Sequence, residues 1–458
     1  MTTAAPTTDA PQKLPKQIPF IIGNEICERF SFYGMRVNLT AFLAGYLLLN
    51  QYPVEEERAA IAKETFHLFM SGVYFFPLLG GFIADRFLGK YRTILYLSLV
   101  YCAGHVCLAA FEGNRNGFFA GLFLIALGSG GIKPCVSSMV GDQFDEKRKH
   151  LASKVFGAFY WSINFGSFFA SLLMPITLKK YGPAVAFGIP GVLMFIATIV
   201  FWLGNRHYVK IPPTGGGNPD SFLRVVWTKL TKKEPADQHH PKEAVEGVHA
   251  VFRLMGVFLL VPFFWMLFDQ KASTWVLQAN KMDRVIGDFT IEASQMQVIN
   301  PALVMLLIPL LHGVIYPRLE KAGYGLKPLW RMAIGMGLGA ASYIVAGMIQ
   351  VPMDAGKTMH IMWQLAPYVL LTIAEVMVSV TGLEFAYSQA PRSMKSTIMS
   401  LWNLNVTLAN VVVAATAGLK AFSGASLFFI YAGISFLAAI GLGIVARRYK
   451  MVEYYQKA

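Results

Sequence analysis

Glu25-Ile26-Cys27-Glu28-Arg29-Phe30-Ser31-Phe32-Tyr33-Gly34 sets two carboxylates and a guanidinium inside a long apolar run, residues 18–22 before it and 37–49 after it. On a helix Glu25, Glu28 and Arg29 stand at i, i+3 and i+4 and share one face. Arg36, one heptad beyond Arg29, extends the stripe. Ionisable groups at membrane depth are costly and mark ion or proton pathways. The plainer alternative is a salt bridge that locks helix packing, and four charges on one stripe weigh against it.

The rest of the composition fits that membrane reading. The chain of 458 residues is 55% hydrophobic and 14% charged, with mean hydropathy +0.47; soluble domains carry roughly 25% charged residues. Cys27, Cys102, Cys107 and Cys135 all fall in apolar segments and read as small hydrophobes, so no disulfide framework, metal site or cofactor is expected. Residues 1–17 are polar and lack the apolar core of a secretory signal. The first span is therefore expected to act as the anchor.

Apolar runs long enough to cross number about twelve, so the expected fold is all-α. They lie near 18–49, 59–84, 92–112, 117–140, 151–178, 184–204, 251–278, 296–316, 330–350, 362–388, 395–419 and 424–446. Of the 40 Lys and Arg, 26 fall in segments on the side of the N-terminus and 9 on the other. Five lie within spans, namely Arg29, Arg36, Lys133, Lys154 and Lys271. That bias predicts cytoplasmic termini and a multi-pass protein of the cell membrane. It also assigns the net charge of +14 to topology, so no nucleic-acid partner is expected.

The chain divides at 205–250, where Pro212-Pro213, Gly215-Gly216-Gly217 and mixed charges leave no run able to span. The expected organisation is a tail (1–17), a six-helix bundle (18–204), a cytoplasmic linker (205–250), a second six-helix bundle (251–446) and a tail (447–458). A short amphipathic piece, 220–230, can lie along the membrane surface. Two six-span halves around a linker point to the major-facilitator architecture, with a site near the midplane between them. The turn Gly81-Phe82-Ile83-Ala84-Asp85-Arg86-Phe87-Leu88-Gly89-Lys90 looks like the loop signature of that superfamily. Asp85 and Arg86 are read as a gate there; the alternative is a stop signal that happens to contain an Asp.

Gly128-Ser129-Gly130-Gly131-Ile132-Lys133-Pro134 lacks phosphate-loop spacing, and its glycines read as sites of close helix approach. Lys133 needs a partner in that span. Glu375 is expected to pair with it across the halves, a contact that forms in one state and breaks in another. Asp269 is expected to neutralise Lys271, and His105, His312 and His360 to lie near span ends.

Four motifs in order then carry a family resemblance. The first-helix string resembles the E-x-x-E-R-F-x-Y-Y-G motif of proton-dependent oligopeptide transporters, with Phe32 in place of the first Tyr. Phe159-Tyr160-Trp161-Ser162-Ile163-Asn164-Phe165-Gly166-Ser167 is similar to the family's F-Y-x-x-I-N-x-G-S signature. Phe264-Trp265-Met266-Leu267-Phe268-Asp269-Gln270 follows, then Thr381-Gly382-Leu383-Glu384-Phe385-Ala386-Tyr387-Ser388-Gln389-Ala390-Pro391 with Met394-Lys395-Ser396.

The resemblance implies import of di- and tripeptides by proton symport through alternating access, powered by the proton gradient. It implies coupling roles for Glu25, Glu28 and Arg29. Arg36 and Lys133 match groups facing the peptide carboxylate; Asn164, Asn300 and Glu375 match groups near its amino terminus. Tyr33, Tyr74 and Trp402 match pocket aromatics, and Ser379 lies one turn beyond Glu375. His67 resembles a histidine invoked in coupling in animal members; its alternative is an inter-helix hydrogen bond. Many bacterial relatives carry two extra helices between the halves, and 205–250 cannot supply them.

Chemistry argues the same way without the family. A zwitterionic peptide needs a cation at one end of its site and an anion at the other, with adaptable apolar walls between. Proton coupling needs a carboxylate that gains a proton when its cation leaves, which Glu25, Glu28 and the Lys133–Glu375 pair can provide. A site for nitrate or another organic anion has no use for Glu375. A non-transporting sensor needs an output domain for which the tails leave no room, an open channel does not need two halves around one charged site, and no nucleophile or metal motif marks an enzyme. A monomer in the lipid bilayer is expected.

Overall fold

Two glycines cut the longest helical stretches into membrane-sized pieces. The computed structural model describes residues 14–144, 149–213, 220–232, 238–389, 395–419 and 422–451. Helix α1 (Ile18–Phe42) leads to α2 (Glu55–Ile83), a wide turn at Ala84–Leu88 and α3 (Gly89–Ala110). Residues 55–110 form one apolar helical stretch of 56 residues, about 84 Å at 1.5 Å per residue, far beyond a hydrocarbon core of roughly 30 Å. Gly89, at φ +74°, breaks it, because only glycine takes that conformation without strain. After α4 (Arg115–Asp142), α5 (Lys149–Leu203) runs 55 residues and breaks at Gly182, φ +81°.

The linker region contains α6 (Phe222–Thr231), and α7 (Lys242–Phe258) begins inside the stretch read as linker. The span expected at 251–278 is not one rod. It continues as α8 (Pro262–Phe268), a tight turn at Asp269–Ala272 and α9 (Thr274–Asn280), bent by 47° after α7. Pro262 has no N–H to continue the α7 ladder. A small hairpin, β1 (Val285–Ile286) and β2 (Phe289–Thr290), leads to α10 (Ile299–Leu310), a wide turn at Leu311–Ile315 and α11 (Tyr316–Lys321). The chain ends with α12 (Pro328–Asp354), α13 (Leu365–Glu375), a wide turn at Val376–Val380, α14 (Thr381–Ser388), α15 (Lys395–Thr416) and α16 (Gly424–Arg448).

Eight helices are long and apolar enough to cross a membrane, nine with the bent pair of α7 and 262–280. Two of the eight, 55–110 and 157–206, each hold two spans, and α1 carries too much charge to be counted among them. Among the described residues that makes twelve rods. The tails at 1–13 and 452–458, Gly215-Gly216-Gly217 and the motif residues Ala390, Pro391 and Met394 lie outside the described residues.

Each half has its own apolar core. Glycines set the spacing in the first one. A Cβ on Gly80 would fall 2.5 Å from the Gly131 backbone, and Gly128 faces the Leu97 carbonyl, so α4 packs against α2 and α3 at backbone distance.

Contacts between the halves gather toward the end carrying residues 43–54 and the hairpin. Thr40 Oγ1 donates to the Ala272 carbonyl (2.8 Å), and Gln295 Nε2 to the Leu172 carbonyl (3.0 Å). Lys179 pairs with Glu292 (2.6 Å) and Lys281 with Glu55 (3.2 Å). This end is sealed.

Candidate functional site

The charged stripe of α1 resolves into two clusters. In the first, Arg29 Nε donates to Glu25 Oε1 at 2.7 Å. Glu28 Oε2 lies 2.8 Å from the same nitrogen, but the single N–H is spent on Glu25, and neither Glu28 oxygen has a hydrogen-bond partner among the described residues. All three groups are buried. Gly166 explains how α5 lies on this spot, since a Cβ there would meet Phe30 N at 3.0 Å and Arg29 Cβ at 3.1 Å.

The second cluster crosses between the halves. Arg36 Nη2 donates to Asp269 Oδ1 (2.9 Å), and Asn410 Nδ2 to Asp269 Oδ2 (2.7 Å). Asn410 Oδ1 lies 2.6 Å from His67 Nδ1, and His67 Nε2 lies 2.8 Å from Ser273 Oγ. The carboxylate can only accept, so Asn410 turns its amide nitrogen to Asp269 and its carbonyl to His67. That places a proton on His67 Nδ1.

A third chain of bonds lies within the second half. Lys271 Nζ donates to Asn300 Oδ1 (2.7 Å) and sits 3.2 Å from the centroid of the Phe268 ring. Asn300 Nδ2 donates to Glu375 Oε2 (2.5 Å). The wide turn Val376–Val380 starts at the next residue; such π-type turns recur at functional sites.

Between the halves lies a cavity of about 200 Å³. The first half contributes Tyr33, Arg36, Tyr74, Tyr160 and Asn164; the second contributes Trp265, Lys271, Asn300, Glu375 and Ser379. Arg36, Asp269 and Lys271 on one side are buried, whereas Tyr160 is 44% exposed. The cross-half contacts at the hairpin end close the cavity on that side.

A family model described as the POT family matches residues 91–425. The chain belongs to the POT family. Among curated proteins, Solute carrier family 15 member 2 of Mus musculus is 38% identical over 369 residues, 74% of this chain and 49% of that protein. Peptide transporter 3 of Caenorhabditis elegans is 37% identical over 370 residues, 74% and 51%. The chain thus spans about half the length of the curated relatives it matches. A crystal structure of an auto-inhibited POT family peptide transporter is 48% identical with TM-score 0.91, covering 97% of this chain and 99% of that one. The POT family transporter PepTSo, crystallised in meso, is 48% identical with TM-score 0.91, covering 97% and 100%.

In this POT-family chain the expected Lys133–Glu375 contact is not made. The Lys133 ammonium rests 4.1 Å from the Phe32 ring centroid and 4.9 Å from that of Tyr74, and has no ion pair among the described residues. Glu375 is engaged by Asn300 instead. The expected Asp269–Lys271 neutralisation is also replaced. Residues two apart on a helix face different ways, so Asp269 reaches Arg36 while Lys271 reaches Asn300. Trp402 is absent from the cavity wall; it packs on Phe258 (5.9 Å) and against Gly382. Arg86 lies over Phe82 and Phe87 (5.6 and 5.8 Å) in a helical turn, where a loop was expected around Asp85. His105 lies five residues before the end of α3, buried and bonded to Ser31 Oγ at 2.9 Å.

Tyr160, Trp265 and Asp269 stand inside the quoted motifs but carry no cavity role in the sequence reading. Lys271 enters the sequence reading as an in-span charge and as the partner of Asp269, without a cavity role. Asn410 had one available signal, a polar side chain inside the apolar stretch 408–415.

Proposed function

We propose that this POT-family protein imports di- and tripeptides together with protons by alternating access, as a multi-pass protein of the cell membrane with both termini cytoplasmic. One observation carries the reading: the cavity between the halves is lined by Arg36 on one wall and Glu375 on the other, the charge pattern of a zwitterion site. The names of the relatives, peptide transporters among them, agree with it.

Arg36 Nε has no hydrogen bond among the described residues and, with Lys133, receives the peptide carboxylate. Glu375, Asn300 and Asn164 receive the ammonium. The Trp265 indole N–H, buried and without a partner among the described residues, suits a peptide carbonyl. Tyr33, Tyr74 and Tyr160 take the side chains, with Ser379 at the inner end. Glu25 and Glu28 share one guanidinium, so a single proton makes that cluster neutral. Proton entry there frees Arg29 from one of its two partners. His67 and the Arg36–Asp269 pair hold the hairpin end shut, and Asp85 with Arg86 serves the opposite gate. The halves, 18–204 and 251–446, rock about the linker. The protein needs no cofactor, catalyses no covalent chemistry and works as a monomer.

Purified protein in proteoliposomes tests this with labelled dialanine and an inward proton gradient. Accumulation above equilibrium that collapses with a protonophore is expected. Intact protein that takes up no dipeptide would overturn the peptide assignment and turn the search to nitrate and other anions. Glu375→Gln is expected to weaken dialanine affinity by about tenfold or more, since a hydrogen bond to a charged group contributes roughly 1.5–3 kcal/mol; unchanged affinity would remove Glu375 from the site.

A further inference from the structure

Away from the central cavity, a cleft of about 480 Å³ lies where the start of α3 meets residues 205–213, the segment that follows α5. Tyr91 forms its floor, stacked on Phe201 at 5.4 Å. The covering segment is fixed to the end of α4: Val209 N donates to Gln143 Oε1 (2.9 Å), and Gln143 Nε2 to the Val209 carbonyl (3.2 Å). Gly89 lies beside the Ile211 carbonyl.

Three cations line the cleft. Lys90 pairs with Asp142 at 2.6 Å. Lys210 sits 4.6 Å from the Tyr91 ring centroid and bonds Asn205. Arg92 has no ion pair among the described residues. Among the described residues that line the cleft three are cationic and none is acidic, on a scaffold held in place by the Gln143 bonds. The rim is apolar and exposed, with Phe87 at 61% and Ile211 at 52%. It stands at the ends of membrane-length helices, where a bilayer's headgroups lie.

We propose that this cleft binds a phosphate group, supplied by an anionic phospholipid whose acyl chains lie on the Phe87–Ile211 rim. Basic pockets at span ends attract such headgroups, each Lys or Arg contributing roughly 1 kcal/mol. Site and lipid would together staple the α2–α3 turn to the segment leading into the linker.

The test is native mass spectrometry of the delipidated full-length protein offered phosphatidylglycerol or phosphatidylcholine, with inorganic phosphate as a third arm. Retention of phosphatidylglycerol over phosphatidylcholine is expected. The Arg92→Gln/Lys210→Gln double variant should lose that preference by about tenfold or more, and Lys210→Arg should keep it. Binding of inorganic phosphate with no lipid preference, lost in the double variant, would keep the phosphate site and reassign its source to solution. Equal retention of both lipids with no phosphate binding would overturn the proposal. So would phosphatidylglycerol retention in the double variant matching the wild type. Melting temperatures check folding; should the double variant fail, Arg92→Gln alone alters an exposed side chain with no ion pair among the described residues and must still lower retention.

Discussion

The two clusters of α1 lie seven residues apart on one helix yet differ in whom they bind. Glu25 and Glu28 find their counter-charge, Arg29, on their own helix. Arg36 reaches across the interface to Asp269 and, through Asn410, to His67. A self-contained cluster can change its charge without moving the halves. A cross-half cluster cannot be broken without releasing them. Both clusters sit on α1, so the proposed coupling between them runs through that helix.

The cross-half cluster is most sensitive at Asp269. Asp269→Asn leaves Arg36 buried without a counter-charge, a loss of about 3–5 kcal/mol for buried pairs, here borne by the sealed state. Spin labels at Tyr46 and Phe289, both exposed at the sealed end, should show a longer, broader separation. An unchanged distance would mean the pair does not hold that end.

A smaller effect is expected at His67. His67→Ala leaves Asn410 and Ser273 without their partner, at about 1–3 kcal/mol, and should open the same end part-way. His67→Gln can remake both bonds and should leave the distance near that of the wild type. If glutamine fails as badly as alanine, the imidazole does more than bridge, and a coupling role gains weight.

The smallest effect is expected at Lys281–Glu55, which also joins the halves but is more than half exposed on both sides. Exposed pairs contribute roughly 0–1 kcal/mol, so Lys281→Gln should leave uptake and label distances nearly unchanged. A large effect there would move the seal from the buried cluster to the rim.

How much of this was legible depended on whether partners shared a helix. The Glu25–Glu28–Arg29 group could be read from spacing alone, because i, i+3 and i+4 fix a face. The packing role of Gly128, Gly130 and Gly131 followed from small residues in an apolar span. Partner choice between halves was not legible. Nothing in the hydropathy of α4 or α13 gives their rotation about their own axes, so Lys133 was paired with Glu375, whereas the structure rests it on Phe32 and Tyr74. The break before Pro262 and the tight turn at Asp269–Ala272 reset the helix phase where Asp269 and Lys271 choose partners. Trp402 was placed by resemblance, and it packs on Phe258 outside the cavity.

We propose that the first cluster carries the proton and the second does not. This is tested by running Glu28→Gln proteoliposomes in two modes, dialanine accumulation under an inward proton gradient and dialanine counterflow with no gradient. The account predicts that accumulation falls to equilibrium while counterflow continues. Accumulation above equilibrium that a protonophore still abolishes would contradict it and move the coupling proton away from Glu28.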